Sequence, residues 1–217
     1  LAWTPDPDLT VWTAFSANRE PDRKLYDSGL LVRRPSSHLY AWELGLRRRF
    51  GENLLVQVDS FVYRVTDQIN DFPTDPGTGA TLYTPGGDTQ AFGGELGINW
   101  NPADHVHVTS FLATTEANSQ HFDPTVFSDA DTIEGQVPRL RGGATLGWDP
   151  VPGLELDSNL LYTQRRAGIP TWWRLDLRLG WRPSERTLLE VVGQNLTDPH
   201  HPEYFYLEEP QRGYYMM

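Results

Sequence analysis

Five times in this 217-residue chain an aromatic side chain closes a run of alternating apolar and polar residues, and a short turn follows at once. Trp3 precedes TPDPD, Phe50 precedes GEN, Trp100 precedes NPAD, Trp148 precedes DPVPG and Trp181 precedes RPSE. Pro, Asn and Gly at these points supply the backbone angles of tight hairpins. The clearest case is the stretch 171–199, TWWRLDLRLGWRPSERTLLEVVGQNLTDP. Trp173, Leu175, Leu177, Leu179 and Trp181 fall on one face, and Arg174, Asp176, Arg178 and Gly180 on the other. After Arg182-Pro183-Ser184-Glu185 a second run puts Leu189, Val191 and Gly193 opposite Glu190 and Gln194. A period of two with one apolar and one polar face belongs to a β-strand and not to a helix.

The breaks at the other ends of these runs are longer and polar, at 18–37, 66–90, 115–137, 163–169 and 196–211. The rhythm is short turn, long loop. Strands are expected at 9–17, 40–50, 54–65, 92–100, 106–114, 139–148 and 154–162, then a hairpin over 171–196 and a final strand over 212–217. That makes about ten strands of roughly 9–11 residues, the length a tilted strand needs to cross a bilayer. No helix is expected.

Alternation alone does not say which face is wet. A soluble sandwich or lipocalin-like barrel turns its apolar face inward, whereas an outer-membrane barrel turns it outward. Three features favour the second. The polar face carries full charges in mid-strand (Glu43, Arg47, Asp59, Glu95, Arg141, Arg174, Asp176, Arg178), which suits a hydrated lumen. Aromatics stand at a fixed depth before each short turn, as an interfacial girdle requires. Turn lengths differ between the two ends, as in barrels with short periplasmic turns and long external loops. Mean hydropathy of −0.51 does not oppose this, because barrel strands are only half apolar. The expected fold is all-β, an antiparallel up-and-down transmembrane β-barrel. The competing readings are a soluble antiparallel β-sheet binding module and a passive porin; detergent dependence separates the first of these from a membrane barrel.

Composition narrows the chemistry. The absence of cysteine removes disulfides and thiolate metal sites. A net charge of −11 with no basic stripe argues against a nucleic-acid partner. No catalytic constellation is present. His200, His201 and Glu203 carry metal-ligand chemistry, but neighbouring side chains of an extended chain point to opposite sides, and no metal site is expected there. Asp123, Asp129, Asp131 and Glu134 read as a solvated acidic loop.

The motifs in their order resemble the TonB-dependent outer-membrane receptors, in the C-terminal part of their β-barrel. Val192-Gly193-Gln194-Asn195-Leu196-Thr197-Asp198-Pro199 is similar to that family's penultimate-strand signature, and Arg212-Gly213-Tyr214 to the start of its last strand. Tyr40-Ala41-Trp42-Glu43-Leu44-Gly45, Phe61-Val62-Tyr63 with Asp67-Gln68-Ile69, Gly94-Glu95-Leu96, and Ile169-Pro170 with Leu175-Asp176-Leu177-Arg178 continue the resemblance. It implies a transporter without enzymatic activity or resident cofactor, in the outer membrane of a Gram-negative bacterium. The cargo would be a scarce, bulky nutrient of the ferric siderophore or cobalamin class, hence a ferric chelate among the candidate ligands. The TonB energy-coupling protein, acting through a plug, and outer-membrane lipid are the other implied partners. Ligand contact is expected from external loops and lumen residues near the outer end, with Arg19, Tyr63, Arg64, Tyr83, Arg165 and Arg166 as candidates. Asn195, Leu196, Asp198 and Arg212 carry the signature. Family barrels have about 22 strands and enclose a plug. Residues 1–217 are therefore expected to form a C-terminal portion of the barrel, without the plug.

Overall fold

A computed structural model of the chain describes residues 1–20, 24–27, 30–33, 36–67, 69–74, 81–85, 87–120, 133–197 and 212–216, with the backbone alone at 24–27, 30–33, 69–74, 81–85 and 133–134. The elements are β1 (Ala2–Asp6), β2 (Leu9–Arg19), β3 (Lys24–Asp27), β4 (Leu30–Arg33), β5 (His38–Phe50), β6 (Leu54–Thr66), β7 (Ile69–Thr74) and β8 (Thr81–Pro85). They continue with β9 (Asp88–Ala103), β10 (Val106–Gln120), α1 (Ile133–Gln136), β11 (Leu140–Val151), β12 (Leu154–Thr163), β13 (Trp172–Ser184), β14 (Thr187–Gln194) and β15 (Gly213–Met216). Eleven of the strands form one sheet in the order β1-β2-β5-β6-β9-β10-β11-β12-β13-β14-β15. Every pairing in it is antiparallel and joins neighbours along the chain, apart from the small hairpins β3-β4 and β7-β8 in two of the long connections.

The expected strands are present, and most of them are longer than expected. Strand β9 has 16 residues and β10 has 15, so both run past the bilayer into stretches that read as loop from their polar composition. The register continues without a break through Asn118↔Gln90 and Gln120↔Asp88, because ladder hydrogen bonds need no apolar side chain. Among the described residues the one helical element is the single turn α1, at the end of the third long connection. At the short end, Gly51 turns β5 into β6 with a φ of 61°, which a residue without Cβ adopts freely.

Side-chain exposure identifies the two faces. Trp42, Leu44 and Leu46 on β5 and Trp173, Leu177, Leu179 and Trp181 on β13 are all exposed. Arg174, Asp176 and Arg178 on the opposite face of β13 are half-buried. On a curved sheet, side chains of the concave face converge and shield one another while those of the convex face splay apart. The charged face is therefore the inner one and the apolar face the outer one. No second layer covers the apolar face among the described residues, so the sandwich reading does not hold.

Following directly paired residues across the sheet gives the strand tilt. The row that starts at Trp3 passes through Val11, Leu46, Val58, Leu96, Leu112, Gly142 and Tyr162, and arrives at Trp173. Trp3 stands at the short-turn end of its strand, yet Trp173 stands at the long-loop end of β13, eight residues before Trp181. A slip of eight residues over eight strand-to-strand steps, at ~3.3 Å per residue and ~4.8 Å between strands, is a tilt of about 35°. That is the inclination at which sheets close into barrels.

Candidate functional site

The outer face is organised as a lipid-contacting band. Trp3, Phe50, Trp100, Trp148 and Trp181, expected as interface aromatics, are all outward and exposed. A second aromatic level lies above them, which turn chemistry did not reveal. Trp42 and Phe50, Phe92 and Trp100, and Trp173 and Trp181 are each eight residues apart on one strand and one face. Eight residues of tilted strand rise about 22 Å, close to the height of the apolar band of a transmembrane barrel. Phe15 and Phe92 share a row with Trp42 through Val62 and continue this upper level. The Trp42 indole donates to Thr13 Oγ1 at 2.7 Å, so its N–H is satisfied where no water would reach it.

The inner face is a wall of charges and of aromatic rings laid over glycine. Phe61 lies over Gly93 and Phe111 over Gly143, where an added Cβ would stand 2.7 Å and 2.6 Å from the respective rings. Trp12 covers Gly45 in the same way. Tyr63 continues this surface, stacked on Phe61 with ring centroids 6.1 Å apart. Lower on the wall, Arg178 gathers three carboxylates from two neighbouring strands. Its Nη1 donates to Asp157 at 2.6 Å, its Nη2 to Glu155 at 2.8 Å and its Nε to Glu190 at 2.7 Å. Arg182 holds the other oxygen of Glu155 at 2.9 Å. Gly180 lies between Glu155 and Glu190 in the register and leaves room for the guanidinium to cross.

The signature residues have a structural task. Asn195 is 1% exposed and takes a φ of 53°, a left-handed turn that Asn tolerates better than most residues. Its N–H donates to Asp176 Oδ1 at 2.8 Å, and Asp176 is held by Arg174 at 3.0 Å. Leu196 N–H donates to the Leu175 carbonyl at 2.9 Å, while its side chain packs over Gly193. Thr197 Oγ1 donates to the Trp173 carbonyl at 2.9 Å, and Arg212 Nη2 to the Leu196 carbonyl at 2.8 Å. The motif thus ends β14, fastens it to β13 and leads into β15. Asp198 lies outside the described residues.

The ligand candidates do not gather in one place. Tyr63 is on the inner wall. Arg166 reaches it from the β12–β13 connection, and the neighbouring Arg165 is exposed. Arg19 and Arg64 stand on the outward face, in the parity of Phe15 and Val62, where Arg64 pairs with Asp88 at 3.1 Å and Arg19 donates to Ser36 Oγ at 2.9 Å. They occupy the polar collar above the upper aromatics rather than the lumen. The side chain of Tyr83 lies outside the described residues, as do those of His200, His201, Glu203, Asp123, Asp129, Asp131 and Glu134. Among the described residues no cluster of His, Asp and Glu has metal-ligand geometry.

Comparison with known proteins agrees with this geometry. The family model of the TonB dependent receptor-like β-barrel matches residues 1–196. Among solved structures, the chain is similar to the FrpB iron transporter from Neisseria meningitidis, with a TM-score of 0.74, 13% identity, 99% of this chain and 37% of that one covered. It is similar to the siderophore receptor PiuA from Acinetobacter baumannii, at 0.73, 14%, 99% and 34%. It is also similar to the ferric yersiniabactin uptake receptor FyuA from Yersinia pestis, at 0.70, 19%, 100% and 34%. At these identities the likeness is one of fold, and the chain spans about a third of each of these structures. With an open run of antiparallel strands, an apolar outer face and a family model over most of its length, this chain belongs to the TonB-dependent receptors, a family of transporters and not of enzymes, and forms part of their β-barrel.

Proposed function

We propose that the chain is a wall segment of an outer-membrane receptor of a Gram-negative bacterium, one that imports a scarce, bulky nutrient with energy delivered by TonB. The cargo class is a metal chelate, in keeping with the iron, siderophore and copper receptors whose fold the chain shares. The observation that carries the reading is the pair of outward aromatic levels enclosing an apolar band, backed by a charged inner wall. In this scheme the outer face meets lipid, the long connections capture the ligand, and the remaining strands of the receptor close the barrel around a plug. The Arg178 cluster is partly solvated and carries one more carboxylate than guanidinium groups, which suits it to dock a basic patch of the plug.

Uptake tests the reading directly. Cells expressing the full receptor should accumulate a radiolabelled ferric chelate, and should stop when a protonophore collapses the membrane potential or when the coupling protein is removed. Uptake that survives both treatments would indicate a passive porin. A receptor that stays soluble without detergent and shows no heat-dependent gel shift would refute the membrane barrel itself.

A further inference from the structure

The run Arg47-Arg48-Arg49 lies near the short-turn end of β5, and the register splits it. Arg48 faces Leu9 on β2 and Val56 on β6, both in an outward row, so Arg48 points outward while Arg47 and Arg49 point into the lumen. On the same face of β5 stand Trp42, Leu44, Leu46 and Phe50, all exposed. Arg48 is exposed as well, and it is a full charge inside the lipid-contacting band. Every other described outward position of the large sheet between the two aromatic levels carries an uncharged side chain. Among the described residues Arg48 breaks that pattern alone.

The strand sets its depth. Two residues separate Arg48 from Phe50, which at ~3.3 Å per residue and the tilt found above puts its Cα about 5 Å to the membrane side of the interface aromatics. An arginine side chain spans such a distance, leaving its stem in the apolar layer and carrying its guanidinium to the headgroups. The observed rotamer follows that course, with the guanidinium carbon 5.2 Å from the centroid of the Phe50 ring. No carboxylate meets it among the described residues. Asp6 shares the row but stands beyond Leu9, two strands or ~10 Å away, and its Oδ1 accepts from the Asp8 N–H at 2.9 Å. A ring face attracts a cation, yet it leaves the guanidinium donors without a hydrogen-bond acceptor. The protein thus holds a planar fork of donors, unmatched, at the depth where lipid phosphates begin.

We propose that Arg48 and Phe50 form a binding site for the phosphodiester of a membrane phospholipid, in the leaflet at the short-turn end. The guanidinium takes two phosphate oxygens with parallel N–H donors, and Leu9, Leu46 and Val56 line the start of the acyl chains. A carboxylate of a second protein would also pair with the cation. The surroundings select lipid: the site is continuous with the apolar band, whose flanks suit a tail on the membrane side and a headgroup on the other. The proposal rests on the membrane-barrel reading above. A lipid held there fixes the depth of β5 at the point where its chain turns into β6.

The full-length receptor, purified in detergent, is titrated with dihexanoyl phosphatidylglycerol and, separately, with dihexanoyl glycerol, and adducts are followed by native mass spectrometry. The first equivalent of the phospholipid should bind saturably, and the phosphate-free lipid about tenfold more weakly. Arg48→Gln should weaken phospholipid binding about tenfold. Arg64→Gln, an outward change at the opposite end of the band, should leave it unaltered. Arg48→Lys keeps the charge but loses the fork, should bind with intermediate strength, and serves in place of Arg48→Gln if that variant fails to give the heat-modifiable form. Equal binding of the two lipids, or phospholipid binding that ignores Arg48, overturns the site. A receptor dimer that Arg48→Gln dissociates also overturns it and assigns the cation to a protein carboxylate. A receptor that stays soluble without detergent defeats the membrane reading and the site together, whereas a detergent-dependent receptor with adducts indifferent to Arg48 defeats the site alone.

Discussion

Gly45 and Arg178 show how much of the inner wall turns on single residues. Gly45 carries the Trp12 indole across its missing side chain, with Asp59 Oδ1 2.6 Å from where a Cβ would stand. Gly45→Val must displace the indole, and the barrel should lose about 1–3 kcal/mol, the usual cost of overpacking a filled site. Chemical unfolding of the full receptor in lipid vesicles measures this, and Trp12→Ala in the same background should recover part of the loss. Arg178 works by charge. Arg178→Met leaves Glu155, Asp157 and Glu190 facing one another without the cation that links them, whereas Arg182→Met removes one contact to Glu155. The first should lower the temperature of the heat-induced gel shift more than the second. Added salt should narrow the gap, since these groups are partly solvated and their repulsion is screened.

At the scale of the strand, the two faces were legible in the amino acids because a period of two admits one apolar surface and one polar surface, and nothing else. Leu175 and Arg174 had to part company. The short turns were equally legible, since Gly51 and the Pro-containing breaks have specific backbone needs. What the sequence concealed came from places where composition and backbone disagree. Residues 88–90 and 115–120 are mostly polar and read as loop, yet they are strand, so the sheet continues above the apolar band as a polar collar. Arg19 and Arg64 read as ligand contacts of the external loops or the lumen, yet Arg64 shares the outward parity of Val62 within the expected strand, and the parity of Arg19 shows only once β2 is known to continue that far. The signature at Asn195 was legible as a motif, but its work as a strand-ending turn held by Asp176 and Arg212 depends on partners about 20 residues away in sequence. The face assignment has a sharp test. Leu96 lies midway between Phe92 and Trp100 on the outer face, and Gly97 follows it on the inner face with its Cβ position clear. Leu96→Arg should cost ~2–4 kcal/mol in vesicles, as a cation at the bilayer midplane does, and Gly97→Arg far less. Equal losses would mean that the faces are reversed or that the strand does not cross the membrane.

For the whole sheet, the slip of eight residues between Trp3 and Trp173 fixes the strand direction relative to the membrane. Polarised infrared spectroscopy of the receptor in oriented bilayers should give a strand tilt of about 35–45°, the range that closed barrels adopt. A pull applied along the barrel axis is therefore borne largely along the strands. The thirteen directly paired positions joining β5 to β6, from His38↔Thr66 to Phe50↔Leu54, would then be sheared in parallel instead of peeled one after another. An oblique weave of this kind resists axial traction, so force delivered to something lodged inside the barrel displaces the lodged part and leaves the wall standing.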